Sequence, residues 1–380
     1  MDTNDYIGSF AQENVAFTTK VIKSVSVGDN YKKVMIFVEN SRFVDSTTSE
    51  WTLVPNSTTI KALTVTADDY ATYTRDFLQS WLYDLFANGF SGDCILVACT
   101  EDVESDPTAF NTAMETAYES LKAYAYHKTV CAGGATSVLP EIALKLATLC
   151  KADKGLLSSA PYFPGTNTVP ADDPIYSAIL ADSAADAFIS YHSDVTRNAA
   201  LYALGIALAE NNNSGSPVGN QLDMVATSNI TASGASGTNL STAIKTALSN
   251  SHIQYYKTVG DNSSAAAGVG AETIKGDVVA ATWLVAYITY MSKVEIAKLM
   301  TTKGFYKNSA SYTQIVNALT NRLSNALLSG RLTDVHVTCP SFEELPEAAA
   351  DEIVINNAWD ATYVDVIRKV SITGSLYIGA

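Results

Sequence analysis

Short runs of branched apolar residues alternate with amphipathic segments over the first two thirds of the chain, and this alternation constrains the fold more than any other feature. Val34–Val38 and Cys94–Ala98 are the clearest runs. Such uninterrupted apolar strands are typical of a sheet covered on both faces. Further short strands are predicted at 129–132, 155–159, 187–191 and 253–258. Strands separated by helices favour right-handed crossovers, so we expect an α/β domain over 34–258 with a mostly parallel sheet flanked by helices.

The segments between the strands carry apolar residues at helical spacing. One helix is predicted to begin at Thr66, with Asp69 completing a capping-box-like start, and to end before Gly89. Its large side chains recur every three or four residues, namely Tyr70, Tyr73, Phe77, Trp81 and Leu85. This spacing predicts a stripe that faces the core, and an aromatic ligand site is the less favoured alternative.

The composition changes after residue 258. Residues 259–276 are rich in Gly, Ser and Ala and are predicted to form a flexible connection. Two amphipathic helices follow, at about 277–300 and 311–328, and then a strand at 332–339. We therefore expect a smaller α+β domain over 277–380, while the weakly patterned residues 1–33 are predicted to form an N-terminal arm.

The end of the sequence alternates apolar and polar residues. Val370, Ile372, Leu376 and Ile378 share one parity, and Ser371, Thr373 and Ser375 share the other, which predicts a half-buried strand at about 366–380. Because no turn follows it, we expect it to join a sheet formed elsewhere, either in its own domain or in a neighbouring copy. On local evidence alone, an ordinary edge strand of its own domain is favoured.

Composition and charge limit the classes of function that the chain can have. Of 380 residues, 47% are hydrophobic, and 39 acidic against 24 basic residues give a net charge of -15. This charge argues against a nucleic-acid groove or an anionic membrane as the main partner. The first residues lack the pattern of a secretory signal, and the apolar run 278–291 is too short to span a bilayer, so we expect a soluble protein made in a cytoplasm.

Motifs that carry chemistry are missing from the sequence. It contains no Gly-x-Ser-x-Gly elbow and no phosphate-binding loop, and the five cysteines and four histidines show no ligand spacing. We therefore predict no catalytic residue, metal or cofactor. His192, directly after the predicted strand 187–191, is the best catalytic candidate because α/β sites form at strand ends. A hydrogen-bonded histidine at the start of a loop is the commoner interpretation, and an enzyme of unknown reaction with His192 near its site is the alternative function.

An acidic connector precedes the terminal strand. It includes Glu343, Glu344, Glu347, Asp351 and Glu352, and no Lys or Arg follows them before Arg368. The connector lacks the Asp-x-Asp-x-Asp-Gly pattern of a calcium loop. A solvated or partner-facing surface is the favoured interpretation.

Three stretches resemble one protein family. They are Asp277–Leu284, then Asn317–Leu323 leading to Ser329–Leu332, and finally Asn357–Trp359 followed by Arg368–Gly374. In these stretches the chain is similar to the contractile tail sheath proteins of myovirus-type bacteriophages, a family shared with related contractile injection devices. The similarity is strongest over about 270–380.

The resemblance implies a structural protein of the virion tail that is assembled in the host cytoplasm and is not an enzyme. Subunits of this family form stacked hexameric rings around the tail tube, in a helical lattice that also meets baseplate and tail terminator proteins. Contraction drives the tube through the host envelope for genome delivery, without a nucleotide, direct membrane contact or nucleic-acid contact. A tail-tube or baseplate component is less favoured, because small tube proteins are chiefly β.

The resemblance also bears on the chain ends. Terminal arms of sheath subunits reach into neighbouring copies to complete a shared sheet, so donation to a neighbour becomes the preferred interpretation of the strand at 366–380. Like-charged connectors repel unless they meet basic partners. Lys20, Lys23, Lys32 and Lys33 of the front arm are the candidate partners of the acidic connector.

Overall fold

The computed structural model describes residues 32–44, 51–55, 57–99, 103, 105–133, 138–154, 157–214, 226–259, 262–301, 306–328, 332–346, 355 and 359–363. Within these ranges, the helices are α1 (Tyr70–Tyr73), α2 (Asp76–Phe86), α3 (Pro107–Leu121), α4 (Pro140–Ala152), α5 (Pro174–Ala181), α6 (Ala199–Ser214), α7 (Thr242–Asn250), α8 (Val279–Met300) and α9 (Ser309–Leu328). The strands are β1 (Val34–Val38), β2 (Thr52–Leu53), β3 (Lys61–Val65), β4 (Cys94–Ala98), β5 (His127–Cys131), β6 (Tyr162–Gly165), β7 (Phe188–Tyr191), β8 (Ala226–Thr227), β9 (Gln254–Val259), β10 (Asn262–Val269), β11 (Leu332–Val337) and β12 (Trp359–Tyr363).

The first sheet has the strand order β2-β3-β4-β1-β5 among the described residues. β1 lies inside it, parallel to both neighbours, with Ile36 opposite Leu96 of β4 and Thr129 of β5. All five residues of β1 are buried. β3 joins β4 in the antiparallel sense, and β2 continues outward from β3. The uninterrupted apolar run at 34–38 therefore forms an interior strand that is covered on both faces, as its sequence predicts.

The second sheet has the order β6-β7-β9-β10-β8 in the described part of the chain. Its β6, β7 and β9 are parallel, whereas β10 pairs antiparallel with β9 and β8. The sheets meet where β5 approaches β6: the Ser159 amide donates to the Tyr126 carbonyl at 3.0 Å, and the Thr129 hydroxyl donates to the Tyr162 carbonyl. The predicted fold class, mixed α/β with a smaller C-terminal unit, is confirmed. Antiparallel strands extend both sheets beyond their parallel strands.

Two strands differ from the sequence-based prediction. The predicted flexible connection 259–276 contains β10, whose Ala266 and Ala267 are buried. Small side chains give no strong apolar signal, although they fit a closely packed strand. Of the predicted strand at 155–159, the described residues 157–159 form only an isolated bridge at Ser158, and β6 follows at Tyr162–Gly165. Pro164 argues against a strand in a prediction from sequence. Proline is tolerated there because β6 is the outer strand of its sheet.

The single helix predicted between Thr66 and Gly89 is wrong, because it is broken into α1 and α2. The Asp69 carboxylate accepts from the Thr66 amide at 2.6 Å and from its hydroxyl at 3.1 Å, which makes a turn before α1 rather than a cap on a long helix. Asp76 then has φ of 55°, in the left-handed region, where α2 begins. The part of the predicted core-facing stripe that lies on α2 is confirmed, since Trp81 and Leu85 are fully buried.

Helix α8 belongs to two apolar clusters. One side contributes to the main core between the sheets and their helices, through Val279, Trp283, Ala286, Tyr290 and Val294. The other side supplies Leu284 and Ile288 to a smaller cluster with Leu323 of α9 and Leu332 of β11. Helix α8 therefore joins the main core to the smaller cluster. No helix in the described ranges is long and apolar enough to cross a membrane.

Candidate functional site

The C-terminal sheet, formed by β11 and β12, is the candidate site. The strands are antiparallel, with Leu332 opposite Tyr363 and Val337 opposite Trp359. The register shifts between Thr333 and His336, and Asp334 in this bulge has φ of 48°. A bulge changes the parity of the residues that follow it. Leu332, Val335 and Val337 therefore all contact the same apolar cluster.

One face of the C-terminal sheet is covered and the other is exposed. The covered face lies on Leu284 and Ile288 of α8 and Leu323 of α9, with partly buried contributions from Tyr287, Val335, Val337, Trp359 and Ala361. The opposite face carries Thr333, Asp334, His336 and Asp360, which are exposed. The sheet is thus anchored by its apolar face on the helix pair α8 and α9.

The outer edges of the C-terminal sheet are open in the described residues. Neither β11 nor β12 pairs with a further strand there. A pair of strands is marginal in water, and stable sheets have three or more strands or pack against a helix. An edge strand also presents unpaired N–H and C=O groups, which are a template for another strand. The sheet therefore has the geometry of an acceptor for an added strand.

Local contacts fasten the segment after β11 to α9, and α9 to α8. The Tyr312 hydroxyl near the start of α9 donates to the Pro340 carbonyl at 2.6 Å, and the rings of Tyr312 and Phe342 lie 5.9 Å apart. An ion pair between Arg322 and Glu295 joins α9 to α8. These contacts hold the segment after β11 on α9 and hold α9 on α8.

The acidic connector is partly structured. Glu344 closes a capping box, because its carboxylate accepts from the Ser341 amide at 3.0 Å and from the Ser341 hydroxyl at 2.9 Å. These hydrogen bonds lower the pKa of Glu344. Glu343 is exposed. Glu347, Asp351 and Glu352 lie outside the described residues.

Strand β12 lies in the region that the sequence analysis assigns to the connector and was missed there. Its signal was present, since Trp359 and Ala361 alternate with Asp360 and Thr362. The five-residue length and the acidic surroundings concealed this alternation. The strand predicted at 332–339 is β11, which ends at Val337.

The other predicted interface residues fall into two groups. Those of the terminal strand, Val370, Ile372, Leu376 and Ile378, lie outside the described residues, as do Lys20 and Lys23. Lys33, at the entry to β1, forms an ion pair with Asp93 of its own chain at 3.4 Å, and its carbonyl accepts from the His127 amide at 3.3 Å. Among the described residues, neither Lys32 nor Lys33 forms an ion pair with Glu343 or Glu344.

His192 follows β7 as the sequence predicts, and its ring is directed into the fold. His192 is 6% exposed, its Nδ1 accepts from the Asp194 amide at 3.1 Å, and its Nε2 lies 3.5 Å from the Thr231 hydroxyl. Burial lowers the pKa of His192. Both ring nitrogens therefore have partners inside the protein, which is the hydrogen-bonded loop histidine of the commoner interpretation.

Sequence reasoning missed a buried ion pair beside His192. The Asp84 carboxylate of α2 accepts from the Arg197 guanidinium at 2.6 Å and from the Asn198 amide at 2.8 Å, just before α6. Burial raises the pKa of Asp84 to about 6, against the opposing effect of Arg197. The partners are 113 positions apart in the chain, and no local pattern predicts such a contact. The pair joins α2 to the start of α6.

One small cavity in the described part of the chain offers little room to a ligand. A cavity of about 20 Å³ lies between α4, the start of α8 and the segment before β7, where it is bordered by Lys151, Asp186 and Thr282. That space holds about one water molecule. No group of three or more His, Cys, Asp or Glu side chains in the described residues is arranged to hold a metal ion.

The open-edged C-terminal sheet is thus the strongest binding feature of the described chain, since it combines an anchored apolar face with unpaired backbone groups. Comparisons of the sequence with models of known protein families and with curated proteins find no match.

Proposed function

We propose that the protein is a structural subunit of a phage contractile tail sheath. It polymerises as stacked hexameric rings around the tail tube and contracts to drive the tube through the host envelope for genome delivery. The observation that supports this proposal is the C-terminal sheet, which has an anchored face and open edges among the described residues.

Strand addition accounts for the open edges and for the alternating sequence at 366–380. An added strand gains main-chain hydrogen bonds along an edge, and its alternate side chains reach the apolar face. Val370, Ile372, Leu376 and Ile378 supply one apolar side chain at every second or fourth position. These are the positions that would extend the apolar face formed by Leu332, Val335 and Val337.

Donation to a neighbouring copy makes the same contact a link in a polymer. Each copy both donates one strand and accepts one, so the interface is heterologous and propagates as a ring or a helix. The partners are other copies of the chain, the tail tube protein, and the baseplate and tail terminator proteins. The location is the virion tail.

A cysteine pair distinguishes donation from an ordinary edge strand. Thr333 is exposed on β11. Ser371 belongs to the strand that the sequence predicts at 366–380. We expect the variant Thr333→Cys/Ser371→Cys, with the partly exposed Cys99 and Cys339 replaced by Ser, to form a ladder of disulfide-linked multimers on mild oxidation. Oxidised chains that stay monomeric with an internal disulfide would show a local edge strand and overturn the proposal.

The matched control places one cysteine away from the sheet. Thr112 is exposed on α3, so Thr112→Cys/Ser371→Cys in the same background should form neither the ladder nor the internal disulfide. Mass spectrometry of the linked peptides identifies which positions have joined.

A further inference from the structure

The exposed face of the C-terminal sheet carries carboxylates on both of its strands. Asp334 lies on this face of β11, and Asp360 lies on this face of β12. Among the described residues, neither carboxylate forms an ion pair with a lysine or an arginine. A strand that adds to either edge of the sheet therefore becomes the neighbour of a strand with one exposed carboxylate.

The segment proposed to add to this sheet carries the opposite charge. Residues 366–380 include Arg368 and Lys369 and contain no Asp or Glu. Lys369 has the parity of the polar residue Ser371, whereas Arg368 has the parity of the apolar residue Val370. Residues of different parity lie on opposite faces of an extended chain. When the apolar residues extend the covered face of the sheet, Lys369 therefore lies on the exposed, acidic face.

A lysine on this face is within reach of the carboxylate on the neighbouring strand. Side chains directly opposite one another on paired strands have Cβ atoms about 4.5–5.5 Å apart, and diagonal neighbours lie about 7–8 Å apart, which long side chains can span. Opposite charges at such positions stabilise the pairing of two strands, and like charges destabilise it. The carboxylates of Asp334 and Asp360 are thus complementary to Lys369 in charge and in face.

We propose that Lys369 of the donated strand pairs with the carboxylate of the strand that it joins, Asp334 on β11 or Asp360 on β12. This inference rests on the proposed sheath function and adds a charge that selects the register. The apolar parity excludes a shift by one residue, which would turn the apolar residues to the exposed face. A shift by two residues keeps the parity but moves Lys369 about 7 Å along the sheet, away from its carboxylate. The contact joins two different surfaces, as a head-to-tail lattice requires.

Neutral side chains on the acidic face test the pairing. Asp334→Asn/Asp360→Asn removes both carboxylates, and asparagine tolerates the left-handed conformation of residue 334. The change also reduces the net negative charge that opposes association, so net charge alone predicts tighter association. We expect instead that self-association measured by sedimentation weakens about twofold to fivefold per contact. The control Asp68→Asn/Asp172→Asn removes the same charge at two exposed positions outside the C-terminal sheet and should not weaken association.

Reversed charges give a sharper test, because the accepting surface and the donated strand can be changed separately. Asp334→Lys/Asp360→Lys makes the accepting face positive, and Lys369→Glu makes the donated strand negative. Each variant alone should associate about fivefold to tenfold more weakly than the unmodified protein, because like charges then meet. An equimolar mixture of the two should co-assemble, since every acceptor finds a strand of opposite charge. Lys245→Glu on α7 adds the same negative charge outside the C-terminal sheet and should associate normally.

The outcomes separate this inference from the sheath function. If the disulfide ladder forms but the Asn variant and both reversed variants associate as tightly as the unmodified protein, the charge pair is absent and the sheath proposal stands. If the reversed variants keep the circular-dichroism melting curve of the unmodified protein, associate weakly and do not recover on mixing, the pairing of Lys369 with these carboxylates is overturned. If the unmodified protein stays monomeric at all concentrations, both proposals fail.

Discussion

At the scale of single residues, Gly205 sets the distance between α2 and α6. A Cβ atom added at this position would clash with the Leu85 carbonyl oxygen, a backbone atom that cannot rotate away. Alanine favours a helix over glycine by about 1 kcal/mol, so helix propensity and packing predict opposite signs. We expect packing to dominate.

Gly205→Ala should therefore lower the free energy of unfolding by about 1–3 kcal/mol, measured by urea denaturation. Gly89→Ala is the control, because its added Cβ meets open space and only its φ of 82° opposes the change. Gly89→Ala should lower the free energy of unfolding by about 1 kcal/mol. A Gly205→Ala protein that is more stable than the unmodified one would show that α2 and α6 are not in close contact.

Lys128 provides a second test at the residue scale. It is fully buried, and its ammonium group donates to the carbonyls of Lys122, Ala125 and Leu157 at 3.1, 2.6 and 2.9 Å. Burial lowers its pKa to about 8. An unfolded lysine has a pKa of about 10.4, so between these values the unfolded chain binds more protons than the folded protein.

The free energy of unfolding should therefore rise with pH between about 8 and 10, by up to about 3 kcal/mol from this group. Urea denaturation at pH 7.5 and 9.5, compared with Lys128→Met, measures this contribution. The variant leaves three carbonyls without their donor and should be less stable at both pH values, but its stability should rise less. Parallel pH profiles would contradict a buried, charged Lys128.

At the scale of elements, α8 connects the main core to the C-terminal sheet. Ile288 is buried in the small cluster beneath β11, whereas Val285 on the same helix is 48% exposed. Ile288→Ala should lower the free energy of unfolding by about 2–4 kcal/mol, and Val285→Ala by less than about 0.5 kcal/mol. Chemical denaturation measures both losses. If Ile288→Ala lowered the free energy of unfolding by no more than the small loss expected for Val285→Ala, the small cluster would contribute no stability.

Elements with one strong local pattern could be predicted from the sequence, and those set by tertiary context could not. β1 and β4 are continuous apolar runs, and burial from both sides is the arrangement that suits them. β10 and β6 were missed, because Ala266 gives little signal and Pro164 gives a misleading one. The break between α1 and α2 depends on the left-handed conformation of Asp76, which sequence spacing does not reveal.

Of the two strands of the candidate site, the sequence predicted one. The branched residues of 332–337 predicted β11. The bulge at Asp334 and the pairing with β12 depend on contacts between distant parts of the chain, which no local pattern reveals. The terminal strand at 366–380 stays a prediction. The pairing of Lys20, Lys23, Lys32 and Lys33 with the acidic connector also stays a prediction, and Lys33 has Asp93 as its partner in this structure.

At the scale of the whole molecule, the net charge of -15 opposes any assembly of identical copies. Salt screens this repulsion, with a Debye length of about 30 Å at 0.01 M and about 8 Å at 0.15 M. Self-association measured by sedimentation should therefore strengthen as ionic strength rises over this range. Assembly that dissolves in salt would instead indicate that pairing between the basic arm and the acidic connector dominates.

The central claim is that subunits link into a sheath by strand addition at the C-terminal sheet, and electron microscopy of the purified protein tests it most directly. The account predicts stacked six-fold rings or long hollow tubes in the micrographs. Separate particles the size of a single chain at every protein concentration and ionic strength would contradict it.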